Sequence, residues 1–224
     1  MALFADRRDA GIRLGAALRD RLGVGSRGRD RLVVGLPRGG VVVAAEVAQA
    51  LNCPLDVLVV RKLGHPERPE LGLGALAETR ERVFNRALVH RLQVPADVLD
   101  TVVAVEWIEA RRRVARYRGH RPPAPASGRE VIVVDDGLAT GFTALAAVES
   151  LRRRHAGRVV VAVPVGSPDT VAMLATHADD VVCLAGPAGL NAVGEAYDDF
   201  DETTDAEVMA ALARAGGARA GDQG

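Results

Sequence analysis

Asp135 and Asp136 stand directly after four consecutive β-branched residues, Val131 to Val134. Gly137-Leu138-Ala139-Thr140-Gly141-Phe142-Thr143 follows, a loop of small residues and hydroxyls, and a helical pattern runs from Ala144 to Arg154. This order predicts a central parallel strand, an acidic pair, a loop of phosphate size and a helix N-terminus. Carboxylates repel phosphate and suit hydroxyl donors or Mg²⁺. Loop amides at a helix start attract phosphate without any cationic side chain. The two ends of the segment therefore fit different parts of one ligand that carries both a sugar diol and a phosphate. Gly137 and Gly141 permit close approach and unusual φ, and Thr140 and Thr143 can cap the helix or donate to phosphate oxygens. A plain strand-to-helix turn capped by aspartates would account for two acids and a glycine, but not for the whole pattern.

Open α/β sheets place ligands at the carboxyl ends of their strands, so the residues after each strand are the expected walls. After the first predicted strand, Leu32 to Leu36, comes Pro37-Arg38-Gly39-Gly40: exposed amides that cradle an anion, with Arg38 adding charge. After the second, Leu55 to Val60, come Arg61 and Lys62. Lys62 is the only lysine among 29 basic residues. Where arginine fills every comparable role, a retained lysine marks a position that needs a compact ammonium.

Competing motifs fail on context. Gly23 to Gly28 fits GxGxxG but leaves a helix and enters a strand, the reverse of a dinucleotide site, and Gly72 to Ala77 fits GxGxxA without a leading strand or a following helix. Gly137 to Gly141 lacks the spacing and lysine of a P-loop, and no HExxH, paired CxxC or GxSxG occurs. His65, His90, His120, His155 and His177 show no ligand spacing, though His65 lies beside Arg61 and Lys62. The acids Asp198, Asp199, Asp201 and Glu202 read as a solvated loop rather than a metal site, and Arg111 to Arg113 as a solvated helix face.

The chain has 224 residues, 48% hydrophobic and 26% charged, with formal net charge +0. This predicts one well-cored domain over 1–214, a disordered tail over 215–224, and no nucleic-acid surface. No apolar run reaches ~18 residues and no signal pattern opens the chain, so a cytoplasmic protein without membrane contact is expected. Cys53 and Cys183 read as buried thiols.

The elements that must hold the site alternate. Helices are predicted at Asp6 to Leu22, Val41 to Leu51, Asn85 to Leu92, Ala96 to Tyr117, Thr143 to Arg154, Asp169 to Thr176 and Asp205 to Arg214, and further strands at Val159 to Pro164 and Val181 to Leu184. This is a doubly wound α/β fold with a mostly parallel five-stranded sheet. The segment from about 64 to 128, with short antiparallel strands at 72–77 and 82–84, forms a flap over the sheet's carboxyl edge or an oligomer contact. Residues 185–204 lack periodicity and form a hood loop. Its Tyr197 either stacks on a planar base or docks on its own domain.

The segment from Val131 to Thr143 closely resembles, at every position, the phosphoribosyl-pyrophosphate (PRPP) signature of type I phosphoribosyltransferases. Gly35 to Gly40, Val60 to Gly64 and Val193 to Phe200 extend the resemblance, which covers about 4–209 and looks like a bacterial subgroup without a defined acceptor base. The resemblance implies a PRPP donor, a nitrogenous base as acceptor, Mg²⁺ as cofactor and a homo-oligomer, most simply a dimer. It assigns the ribose hydroxyls and Mg²⁺ to Asp135 and Asp136, and the 5′-phosphate to Gly137 and the loop from Ala139 to Thr143 (Thr140, Gly141 and Phe142 included). Pyrophosphate falls to Arg38, Gly39, Gly40 and Lys62, with Asp135, Asp136, Lys62 and Arg38 as the catalytic set, and the base wall falls to the hood with Tyr197. A cis peptide is expected at Pro37–Arg38 or Arg38–Gly39. The loop lacks a third acid and Leu138 has no base character, which puts a general base from it in doubt. A PRPP-sensing protein on the same fold is the alternative; the intact Lys62 and Gly39-Gly40 favour the enzyme.

Overall fold

Val131 to Val134 are buried on both faces, as a strand covered by helices on either side must be. They form the middle of the main sheet. The structure, a computed structural model, describes residues 2–23, 30–190 and 192–220. The parallel strands are β1 (Arg31–Gly35), β2 (Leu55–Val57), β6 (Glu130–Val134), β7 (Arg158–Val165) and β8 (Asp180–Ala185), in the order β2-β1-β6-β7-β8. A second sheet is antiparallel: β3 (Val60–His65), β4 (Arg68–Ala77) and β5 (Arg82–Phe84). The helices are α1 (Arg7–Leu22), α2 (Gly39–Leu51), α3 (Arg86–Arg91), α4 (Ala96–Arg118), α5 (Phe142–Arg153), α6 (Pro168–Ala175) and α7 (Asp205–Ala220).

Strand alternation divides the core into two layers. Val33, Ile132, Val160 and Ala162 pack with Leu14 and Leu18 of α1 and Val43 and Val47 of α2. Leu32, Val34, Val131, Val133 and Val161 face the other way, onto Leu145, Val148 and Leu151 of α5 and onto Ala75 and Ala77 of the small sheet. Each fully buried aliphatic side chain contributes about 1.5–3 kcal/mol, so the two layers hold the sheet rigidly between helices. A third cluster joins Ala110 and Tyr117 of α4 to Val41 and Ala45 of α2 and Val208 and Ala211 of α7.

The expected doubly wound five-stranded sheet is present, with two corrections. The predicted strand Leu55 to Val60 breaks at Leu58. The Leu58 amide makes the last parallel rung, donating to the Gly35 carbonyl at 3.1 Å, and the Val59 amide donates instead to the Glu78 carboxylate at 2.9 Å. The chain thereby leaves the parallel sheet and enters the hairpin at Val60, so Arg61 and Lys62 lie on the antiparallel strand β3, not after a parallel one. The final helix also continues past Arg214 to Ala220, into the stretch expected to be tail. Val24 to Gly28 of the rejected GxGxxG run and residues 221–224 lie outside the described residues. Cys53 and Cys183 remain thiols.

Buried Arg118, at the end of α4, donates to Glu78 at 2.8 Å and to the Val57 carbonyl at 2.5 Å, and pairs with Asp56 at 3.5 Å. It thus fastens α4 to the point where the chain crosses between sheets. No helix among the described residues is long and apolar enough to cross a membrane.

Candidate active site

Strand order reverses between β1 and β6, and a cleft of about 730 Å³ opens there at the carboxyl edge, the position where doubly wound sheets bind ligands. The loop after β1 forms one side and the loop after β6 the other. They are locked together below the cleft: the Leu36 amide donates to the Val134 carbonyl at 2.9 Å. The Pro37–Arg38 peptide is cis, one of the two positions expected.

Two helices begin at this cleft without a side-chain cap. Arg38 and Gly141 are the N-cap residues of α2 and α5, and neither start has a capping hydrogen bond from a side chain. Of the other helices, Asp6, Asn85 and Ser167 cap α1, α3 and α6, and Thr204 and Glu207 cap one another at the start of α7, while α4 also starts without a side-chain cap but away from the cleft. Open N-terminal amides with the helix dipole behind them attract anions. The α5 start needs a left-handed residue, which Gly141 supplies at φ 75°. Thr140 and Thr143 do not cap α5 but line the cleft. Phe142 differs from expectation. Its ring packs against the core beside α5, so only its backbone remains for the loop.

Between the two helix starts lie Asp135 and Asp136. The Asp136 amide donates to the Asp135 carboxylate at 2.9 Å. Burial pushes the Asp135 carboxyl well above the usual aspartate range; the Asp136 charge adds to the rise, while Lys62 and the Asp136 amide oppose it. Asp136 is held from the far end of the chain: Arg7 Nε donates to it at 2.8 Å, and Arg7 Nη1 donates to the Asp201 carbonyl at 2.7 Å.

Arg7 also lies over the Phe200 ring, 3.8 Å from its centroid. Phe200 stacks on Tyr197 with centroids 4.9 Å apart, and Tyr197 in turn packs on Phe4 at 5.5 Å. Backbone bonds between Phe4 and the chain at Ala196 and Asp198 tie this column to the N-terminal segment. Tyr197 is therefore buried, 6% exposed, and is not the base wall. Its hydroxyl donates to the Asp136 carbonyl at 2.5 Å. Burial pushes the phenol's pKa up, which keeps it a donor. The hood residues that line the cleft are Ala192, Val193, Gly194 and Phe200. We expect Tyr197→Phe to lower stability by about 1–3 kcal/mol, because the Asp136 carbonyl loses its buried donor; chemical denaturation measures this.

The cationic residues also divide. Arg61 is tied to Glu106 of α4 at 2.7 Å. Lys62 is exposed, lines the cleft and makes no ion pair among the described residues. Arg38 lines the cleft but is paired with Glu202 of the hood, so an incoming anion would exchange with that carboxylate. His65 accepts from the Glu67 amide at 3.2 Å in the β3–β4 turn and does not line the cleft. Arg7 carried no local sequence signal, and Val193 and Phe200 were legible only as the ends of the segment that extends the resemblance, with no role assigned to either.

A parallel sheet reversing at an acidic pair, with two open helix starts and a hood, defines a type I phosphoribosyltransferase fold. The chain belongs to the phosphoribosyl transferase domain family, whose model matches residues 12–199. Two Mycobacterium tuberculosis proteins, "Putative phosphoribosyl transferase MT0597" and "Putative phosphoribosyl transferase Rv0571c", are each 49% identical over 96% of this chain. They are longer: the match covers 47% of each, so the chain spans about half the length of the curated relatives it matches. The crystal structure of TT1426 from Thermus thermophilus superposes with a TM-score of 0.76 at 44% identity, covering 94% of this chain and 98% of that one. AQ2163 from Aquifex aeolicus, at 11% identity and a TM-score of 0.51 over 85% of this chain and 83% of its own, shares the fold.

Proposed function

We propose that this protein transfers the 5-phosphoribosyl group of PRPP to a nitrogenous base, with Mg²⁺-assisted release of pyrophosphate. One observation carries the reading: two uncapped helix N-termini open into one cleft on either side of an acidic pair. A donor with anionic groups at both ends and a diol between them matches that layout.

In this reading the Ala139–Thr143 loop takes the 5′-phosphate, and the amides of Gly39 and Gly40 with Lys62 take the pyrophosphate. The C1–O bond breaks and pyrophosphate leaves with the electron pair. A base nitrogen then forms the new bond to C1 and releases its proton. Lys62 stabilises the departing anion, as does Arg38 once freed from Glu202. Asp135 and Asp136 orient the diol and offset positive charge on the ribose ring. Two adjacent carboxylates also suit a divalent cation. When bound, Mg²⁺ would neutralise leaving-group charge and align the donor. The acceptor would lie against Val193, Gly194 and Phe200 under the hood.

The test is pyrophosphate release from PRPP and Mg²⁺ with a panel of purine, pyrimidine and pyridine bases. We expect release with at least one base, abolished by Lys62→Ala. PRPP binding by calorimetry without release for any base would replace transfer by a sensing role.

A further inference from the structure

Val105 and Ile108, on successive turns of α4, are 59% and 71% exposed. The other large exposed hydrophobics among the described residues, Leu3, Ile12 and Met209, are not on α4. Ala104 shares the exposed α4 face, and the inward face is already used by Trp107, Ala110, Val114 and Tyr117. At helical spacing the outer face continues through Asp97 and Thr101 on one side and through Arg112 and Arg116 on the other, all exposed. Its charge is thus acidic at the N-terminal end, neutral and apolar at the centre, and basic at the C-terminal end.

We propose that this face pairs with the same face of a second copy of the chain, antiparallel, about a twofold axis between Val105 and Ile108. Turned end for end, the face sets Val105 on Ile108 of the second copy, Thr101 on Arg112 and Asp97 on Arg116, each contact occurring twice. An isologous interface requires this self-complementarity. Asp97 has no ion-pair partner among the described residues. Arg112 and Arg116 have only surface partners, Glu109 and Asp205, which contribute little and can be shared.

The helix has 23 residues and is therefore about 34 Å long. One helix face of that length lies toward the small end of specific interfaces, so the dimer should dissociate in roughly the micromolar range. Pairing would brace the helix whose Glu106 holds Arg61 beside the cleft, but it stands whatever reaction the cleft performs.

Sedimentation velocity on the full chain, up to about 100 μM, tests this. We expect a concentration-dependent dimer, and a monomer at every concentration for Ile108→Asp with an unchanged circular dichroism spectrum. Asp97→Arg and Arg116→Asp should each weaken association about tenfold or more through like-charge contacts. An equimolar mixture of those two variants should restore parental affinity, because each unlike pair then meets. A monomeric parent, a dimer that persists in Ile108→Asp, or a mixture no tighter than its components would overturn the proposal.

Discussion

An Asp135→Asn variant will lose turnover by a factor on the order of 10²–10³ and will nevertheless melt at a higher temperature than the parent at neutral pH. The two outcomes have one cause. Burial, aided by the Asp136 charge, lifts the Asp135 carboxyl well above its ordinary value. Below the ordinary aspartate value the group is protonated in both folded and unfolded chains and is neutral in the balance. As pH rises from there to the raised value, the unfolded chain releases the proton and the folded chain resists. Stability falls through that window and levels off above it. Asparagine keeps an oxygen for the Asp136 amide, which Asp135 accepts at 2.9 Å, and removes the charge. The melting-temperature gain should therefore be small near the ordinary aspartate value, grow through the window and plateau; a gain independent of pH would sink the electrostatic account. Turnover equal to the parent's would sink the role of the carboxylate. Asp136→Asn should lose turnover likewise but without the gain in stability, because Asp136 is the ion-pair partner of Arg7 at 2.8 Å.

The difference between those neighbouring acids also separates what was legible in the sequence from what was not. The strand, the acidic pair, the left-handed glycine and the helix start are consecutive, and local preferences of backbone and side chain determine them. The same holds for Pro37 to Gly40. Contacts between distant segments carry no such pattern. Arg7 meets Asp136 across 129 positions, and nothing around it distinguishes it from Arg8, which reaches Glu46 on the surface. Tyr197 is a polar aromatic in an irregular loop, equally suited to a ligand or to a core. Phe4, far away in sequence, settles the matter by packing on it. The run from Leu55 to Val60 reads as one strand because every residue but Asp56 is apolar and suits a strand. The Glu78 carboxylate breaks it from outside by taking the Val59 amide, and with that break Lys62 moves from the end of one sheet to the edge of another.

Gly39→Ala will reduce turnover by about 10²-fold, the effect of displacing a catalytic group by an ångström or so, while leaving the fold intact. Gly39 is the first residue of α2, where alanine is at least as helix-compatible as glycine, so the backbone has no reason to object. The obstacle is steric. A Cβ at Gly39 would overlap the Asp136 carboxylate and stand 2.5 Å from Arg7 Nε. The carboxylate is fixed by Arg7, and Arg7 is fixed by Phe200 and the Asp201 carbonyl, so neither can swing aside without disturbing the hood. Overpacking of this kind costs about 1–3 kcal/mol of stability, which denaturation would register beside the kinetic loss. Gly72→Ala is the control: a Cβ there meets nothing within 4 Å, and activity should stay near that of the parent. Because alanine acts through Asp136, Gly39→Ala combined with Asp136→Asn should be little slower than Asp136→Asn alone, a non-additivity expected of residues that work as one unit. Additive losses would mean instead that the alanine methyl also displaces the Gly39 amide from the leaving group it holds, independently of Asp136.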